Sequence, residues 1–171
     1  GTANGKRVQA QGGAKNPVVI LPDADIEMST RIIADSVYGC AGQRCLAAST
    51  IITVDDQKRQ IKEALYETVK SRTTGYGLDR EINMGPVITP ESKARITGLI
   101  QKGIDEGAKV LLDGRNASIS GYEKGNFLNP TILEDVALDK ELIKTEIFGP
   151  VMSLISMKNI EDALKFVNGG N

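Results

Sequence analysis

Seven consecutive residues, Gly39 to Cys45, carry the side chains best suited to chemistry. They read Gly-Cys-Ala-Gly-Gln-Arg-Cys, so a thiol, a guanidinium and a carboxamide stand next to small residues that leave room around a reactive atom. The segment follows a predicted helix and precedes a predicted strand, where α/β proteins often place their sites. Cys45 is therefore a candidate nucleophile. The alternative is a buried, inert thiol, because free cysteine is among the most buried residue types.

The composition excludes several other kinds of site. Histidine is absent, which removes His-based triads and HExxH metal sites. The two cysteines, Cys40 and Cys45, form no CxxC pair, so we predict no metal site. A net charge of −1 gives no basic excess, and no apolar run is long enough to span a membrane. We therefore expect neither a nucleic-acid nor a membrane partner, and a cytoplasmic protein.

Apolar periodicity predicts a single α/β domain of alternating strands and helices. The fold class we expect is a three-layer, open, mostly parallel sheet with helices on both faces. The predicted strands are 17–22, 49–54, 109–112, 127–133 and 151–157, and the predicted helices are about 25–41, 57–71, 89–107 and 159–167. Residues 72–86 and 113–126 are predicted loops because they are rich in glycine or polar residues.

Four ordered motifs resemble those of the aldehyde dehydrogenase superfamily. Residues 42–45 (Gly-Gln-Arg-Cys) resemble its nucleophile motif, and residues 11–17 (Gln-Gly-Gly-Ala-Lys-Asn-Pro) resemble a motif that begins 34 residues before Cys45. Residues 84–86 (Met-Gly-Pro) and 146–150 (Glu-Ile-Phe-Gly-Pro) resemble two further motifs. The resemblance implies that residues 1–171 are a catalytic domain within a longer protein, lacking most of the NAD-binding domain and the C-terminal end.

The resemblance also implies roles for three of these residues. The Cys45 thiolate would attack an aldehyde, hydride would pass to NAD, and the resulting thioester would await a second nucleophile. The Cys45 backbone N–H would help to bind the oxyanion. Glu146 would hydrogen-bond the ribose next to the nicotinamide, and Phe148 would pack near the nicotinamide ring. Without the resemblance, Glu146 would be a solvated carboxylate and Phe148 a core ring.

Gln11 stands where most hydrolysing members of that family have a glutamate. A carboxamide cannot take a proton from water near neutral pH, whereas a thiol acceptor needs little help. The substitution therefore favours coenzyme A as the acceptor of the acyl group. The alternative is that Gln11 only holds a neighbouring loop.

Arg44 lies beside the nucleophile and could bind a carboxylate bidentately, which favours an aldehyde that carries an acid group. Residues 5–10 (Gly-Lys-Arg-Val-Gln-Ala), together with Gln11 and residues 43–45, resemble family members that oxidise malonate or methylmalonate semialdehyde to acetyl-CoA or propionyl-CoA. The resemblance implies a homo-oligomer, a dimer or tetramer, for the full-length protein, and the mitochondrial matrix as its compartment if the protein is eukaryotic. Arg44 could instead pair with a structural carboxylate.

Three further alternatives remain open from the sequence. The protein could hydrolyse the thioester with water activated by another carboxylate, such as Glu146. It could be a non-catalytic binding or assembly module with an inert Cys45. Cys40 could form a disulfide with Cys45, although a helix-packing role for Cys40 is the simpler interpretation.

Overall fold

The computed structural model describes residues 1–10, 12–55 and 58–169, and it has one five-stranded sheet in the order β1-β2-β5-β4-β3. β1, β2, β5 and β4 pair in parallel, and β3 is antiparallel to β4. The strands are β1 Pro17–Ile20, β2 Thr50–Val54, β3 Lys109–Leu112, β4 Thr131–Glu134 and β5 Val151–Met157. The helices are α1 Ile26–Tyr38, α2 Lys58–Lys70, α3 Pro90–Asp105, α4 Glu141–Lys144 and α5 Ile160–Asn168.

The central strands are buried on both faces. All residues of β2 and β4 are buried, and so are six of the seven in β5. Because neighbouring side chains of a strand point to opposite faces, this pattern requires cover on both sides of the sheet. α1 packs against α2, while α5 packs against β2 and β5. The predicted α/β class and mostly parallel sheet are confirmed.

Three helices begin at the capping residues that the sequence provides. The Asp25 carboxylate accepts a hydrogen bond from Met28 N at 2.8 Å and starts α1. Thr89 caps α3, and Asn159 Oδ1 accepts from Asp162 N at 2.8 Å to start α5. Each cap satisfies an N–H that the first helical turn leaves unpaired, so these starts are set by local sequence.

α1 ends at Tyr38, three residues before the predicted end. Cys40, Ala41 and Gly42 have φ values of 52°, 54° and 69°, so the chain turns left-handed there. Each non-glycine residue in that region costs about 1–2 kcal/mol, and tertiary contacts must therefore hold the turn. The buried Tyr38 hydroxyl donates to Thr131 O at 2.9 Å and fixes the end of α1 beside β4.

Two other elements differ from the prediction. β4 begins at Thr131, four residues later than the predicted extended segment, and α4 was not predicted. A four-residue helix shows no periodic apolar pattern, so its sequence carries little signal. Among the described residues, no helix is long and apolar enough to cross a membrane.

Two glycines of α3 provide a matched test of this packing. A Cβ on Gly98 would have no atom within 4 Å, whereas one on Gly103 would clash with the buried Leu142 side chain of α4, with Cγ at 3.3 Å. We expect Gly98→Ala to raise the free energy of unfolding by about 0.5–1 kcal/mol, because alanine favours a helix interior. We expect Gly103→Ala to lower it by about 1–3 kcal/mol through overpacking. Urea unfolding of both variants measures the difference; equal effects of the same sign would contradict the packing of α3 on α4.

Candidate functional site

The candidate nucleophile lies on the loop that joins α1 to β2. We call residues 39–47 the nucleophile loop. Cys45 and Cys40 are both exposed, free thiols. The interpretation of Cys45 as a buried thiol is therefore wrong, and so is a helix-packing role for Cys40, which lies in the left-handed turn beyond α1. The backbone N–H of Cys45 has no acceptor among the described residues, so it is available to an oxyanion.

The left-handed turn brings two of the sequence motifs into contact. Gly42 has φ +69°, and a Cβ at this position would lie 3.0 Å from Val37 O and closer still to the carbonyl of Gly149. Only glycine fits both this backbone conformation and this approach. The nucleophile loop therefore packs directly on the segment 146–150.

Asn16 holds the nucleophile loop on its downstream side. Its Nδ2 donates to Cys45 O at 2.8 Å and to Ala47 O at 3.0 Å. Its backbone is fixed in turn, because Asn16 N donates to Ser49 Oγ at 3.1 Å and Asn16 O accepts from Ser49 N at 3.0 Å. Asn16 thus links the segment 11–17 to Cys45. Sequence reasoning missed it because the two residues are 29 positions apart.

Gln43 connects the nucleophile loop to the third motif. Its Nε2 donates to Cys40 O at 3.1 Å and to Pro86 O at 3.3 Å. Its Oε1 accepts from Ile88 N at 2.8 Å. From the sequence, Gln43 is only a carboxamide near the thiol. The motif at 84–86 was the available signal that this segment meets the nucleophile loop.

Arg44 folds back on the end of α1. Its Nη2 donates to Asp35 O at 3.0 Å and to Ser36 O at 2.8 Å, and it lies over Gly39. Carbonyls at a helix C-terminus are natural partners for a cation. The predicted alternative, a structural carboxylate, is not what Arg44 binds here. Its Nε and Nη1 have no partner among the described residues, and the predicted substrate-binding role stays a prediction.

Glu146 and Phe148 lie on the segment that packs on the nucleophile loop. Phe148 is 38% exposed with φ +49°, so it is not the core ring of the alternative interpretation. The half-buried Glu146 carboxylate accepts no hydrogen bond from the described residues. Arg95 fixes the backbone beneath it by donating to Glu146 O at 3.2 Å and to Ile147 O.

Lys15 supports Glu146 from the segment 11–17. Its Nζ donates to Leu142 O at 2.9 Å and Thr145 O at 3.0 Å, at the C-terminal end of α4. Burial lowers the pKa of Lys15 to about 8, and the nearby Glu146 carboxylate opposes that shift. Lys15 therefore joins the segment 11–17 to the residues that precede Glu146.

Gln11, the predicted determinant of the acyl acceptor, lies outside the described residues. The same segment approaches the site at Gly13, where a Cβ would lie 3.9 Å from Glu146 Oε2. In the described part of the chain, no group of three or more acidic or cysteine side chains could hold a metal ion. The structure thus brings together all four motifs. The segment 11–17 contacts the others through Gly13, Lys15 and Asn16.

Comparison with known proteins finds a matching family model and relatives with related names. A family model described as "Aldehyde dehydrogenase family" matches residues 1–171. The chain is 44% identical over 166 residues to "Methylmalonate-semialdehyde dehydrogenase [acylating], mitochondrial" of Arabidopsis thaliana, covering 97% of this chain and 27% of that protein. It is 43% identical over 168 residues to "Methylmalonate-semialdehyde/malonate-semialdehyde dehydrogenase [acylating], mitochondrial" of Rattus norvegicus, covering 98% and 31%.

A solved structure has the same fold. A protein from Sinorhizobium meliloti 1021, described as a methylmalonate-semialdehyde dehydrogenase and complexed with NAD, superposes with a TM-score of 0.94 at 40% identity. The match covers 99% of this chain and 35% of that one. This chain therefore spans about a third of the length of the proteins it matches.

The lowered pKa of Lys15 predicts a pH-dependent stability. Between pH 8 and about 10.5, folded Lys15 loses its proton while the unfolded side chain keeps it, so the unfolded state binds more protons and stability rises with pH. We expect the free energy of unfolding to rise over this window relative to Lys15→Met by about 1–3 kcal/mol. Denaturant unfolding at pH 7.5 and pH 10.5 of both proteins measures it. A difference between them that does not change with pH would contradict the burial of this ammonium group.

Proposed function

The chain belongs to the aldehyde dehydrogenase family, and on that premise we propose that Cys45 is the nucleophile of an NAD-dependent, CoA-acylating semialdehyde dehydrogenase. The observation that carries the proposal is the presentation of Cys45. Its thiol is exposed and its N–H has no acceptor in the described part of the chain, in a loop where the segments 11–17, 84–88 and 146–150 meet. An inert thiol in a non-catalytic module would need none of this organisation.

Cys45 begins the reaction as a thiolate. Its sulfur forms a bond to the aldehyde carbon, and the carbonyl oxygen becomes an oxyanion that the Cys45 N–H stabilises. When that oxyanion re-forms a carbonyl, the hydrogen on the same carbon leaves with its electron pair. What remains is an acyl group bound to Cys45 as a thioester.

Glu146 and Phe148 are the residues that would hold NAD. Among the described residues, no donor occupies the Glu146 carboxylate, so it can accept hydrogen bonds from ribose hydroxyls. The exposed ring of Phe148 offers an apolar surface for the nicotinamide. NAD, when bound, accepts the hydride that leaves the aldehyde carbon. The S. meliloti relative, which is complexed with NAD, supports the choice of this cofactor.

Coenzyme A is the proposed acceptor of the acyl group. Its thiolate attacks the thioester carbon, the bond to Cys45 breaks, and the Cys45 thiolate leaves with the electron pair. Gln11 supports this choice, because an amide cannot serve as the base that activates water. The word "acylating" in the names of the plant and rat relatives agrees with it.

Malonate and methylmalonate semialdehyde are the proposed substrates. Arg44 would donate to their carboxylate from Nη1, since both hydrogens of its Nη2 are used by the carbonyls of α1. Loss of carbon dioxide leaves the carbon–carbon bonding electrons on the adjacent carbon, which takes up a proton to give acetyl-CoA or propionyl-CoA. The full-length protein is proposed to be a dimer or tetramer that is cytoplasmic or, in a eukaryote, in the mitochondrial matrix. The names of the plant and rat relatives include the word mitochondrial.

The two cysteines provide the first test in the full-length protein. We expect Cys45→Ser to reduce NADH formation from malonate semialdehyde at least about a thousandfold, because a serine hydroxyl is a far weaker nucleophile than a thiolate. The matched variant Cys40→Ser should stay within about threefold. Mass spectrometry of the protein quenched during turnover without CoA should find the acyl adduct on Cys45. An adduct on Cys40 alone, or none on either thiol, would refute the proposed nucleophile.

Gln11 provides the second test. We expect Gln11→Glu to raise the CoA-independent release of free acid by tenfold or more, because it introduces the missing base. The matched variant Gln9→Glu makes the same change two residues earlier and should leave that rate unchanged. In the parent protein acyl-CoA should be the main product when CoA is present. Free acid formed equally fast with and without CoA would instead support the hydrolysing alternative.

A further inference from the structure

We infer that Gln43 is a positioning residue, whose side chain sets the conformation of the nucleophile loop and thereby the placement of the Cys45 sulfur and N–H. The inference rests on the proposed function, since it assigns a reason for the reactivity of Cys45. It concerns a residue two positions before the nucleophile that contacts the loop and the segment 84–88.

Both ends of the Gln43 amide are used, and in a way that fixes its orientation. Nε2 faces two carbonyl oxygens, Cys40 O and Pro86 O, while Oε1 faces the N–H of Ile88. An amide is the side-chain group of this length that donates at one end and accepts at the other. Glutamate would keep the acceptor but turn an oxygen towards two carbonyls, and methionine would remove every bond at similar size.

The loop needs such a support because its conformation is intrinsically unfavourable. Cys40 and Ala41 are non-glycine residues in the left-handed region, and they lie five and four positions before Cys45. Cys40 O accepts from both the backbone N–H of Gln43, at 3.1 Å, and the side chain of Gln43. The side chain thus closes the turn and ties it to Pro86 and Ile88, 43 and 45 residues away.

Two backbone amides report separately on these bonds. The N–H of Ile88 donates to Gln43 Oε1, and the N–H of residue 43 donates to Cys40 O within the turn. The neighbouring N–H of Val87 donates to Asn126 O at 2.9 Å and serves as an internal reference. Hydrogen exchange resolved to single amides therefore distinguishes loss of the side-chain bond from loosening of the turn and from general unfolding.

The test compares Gln43→Met and Gln43→Glu in the full-length protein with Gln101→Met as the matched control. Gln101 lies on α3 and also uses both ends of its amide, with Asp105 and Arg115. In Gln43→Met we expect exchange at Ile88 and residue 43 to accelerate at least tenfold, with Val87 unchanged. In Gln43→Glu, residue 43 should accelerate while Ile88 stays protected. Gln101→Met should leave all three amides as in the parent.

Kinetics then separate a positioning role from a structural one. We expect kcat for NADH formation to fall about 10- to 100-fold in Gln43→Met, since a small misplacement of a nucleophile costs this much. KM for NAD should stay within threefold, and adduct formation on Cys45 should slow by the same factor as kcat. Because Gln43→Glu also adds a negative charge near the thiol, the neutral variant carries the kinetic test.

The outcomes distinguish this inference from the proposed function. Adduct formation on Cys45 in the parent, with Gln43→Met forming it at the parent rate, would overturn the role of Gln43 and leave the nucleophile intact. No adduct in the parent would refute the proposed function itself. If Gln43→Met does not fold, Gln43→Glu decides through exchange: an unchanged rate at residue 43 would overturn the inference, and acceleration there with Ile88 protected would support it.

Discussion

The close approach of Gly42 to Gly149 is the constraint on which the candidate site depends. A left-handed turn after α1 is unfavourable for Cys40 and Ala41, and the Gly42 backbone can reach the Gly149 carbonyl only because it carries no Cβ. That contact places the nucleophile loop on the segment that carries Glu146 and Phe148. Without it, the nucleophile loop would lose its direct contact with the segment that carries the proposed cofactor residues.

The sheet supplies the rigidity that this arrangement needs. Asn16 and Ser49 immediately precede β1 and β2, which fix their backbone, and the Asn16 side chain then reaches the carbonyls of the nucleophile loop. α3 performs the same task from the other side, because Arg95 holds the carbonyls of Glu146 and Ile147. Loops that present an exposed thiol can thus be well ordered, since each is bonded to an element of the buried core.

The elements predicted correctly are those whose capping residues or apolar runs lie within one short stretch of sequence. The caps at Thr89 and Asn159 and the apolar runs of β1, β2 and β5 gave the helix starts and the parallel sheet correctly. The left-handed turn and α4 were missed because tertiary contacts, not propensity, hold them. The motifs identified Cys45 and its neighbours, but the direction of Arg44 and the bonds of Asn16 depend on segments distant in sequence. No pattern within one segment could have revealed them.

The side chains that hold the nucleophile loop around Cys45 are neutral or positively charged. Asn16 and Gln43 hold the loop with neutral carboxamides, and the cation of Arg44 is directed at the carbonyls that end α1. No support therefore places a carboxylate against the sulfur, where it would oppose both a thiolate and a developing oxyanion. Supports of this kind agree with the proposed thioester chemistry, in which negative charge passes between sulfur and a carbonyl oxygen.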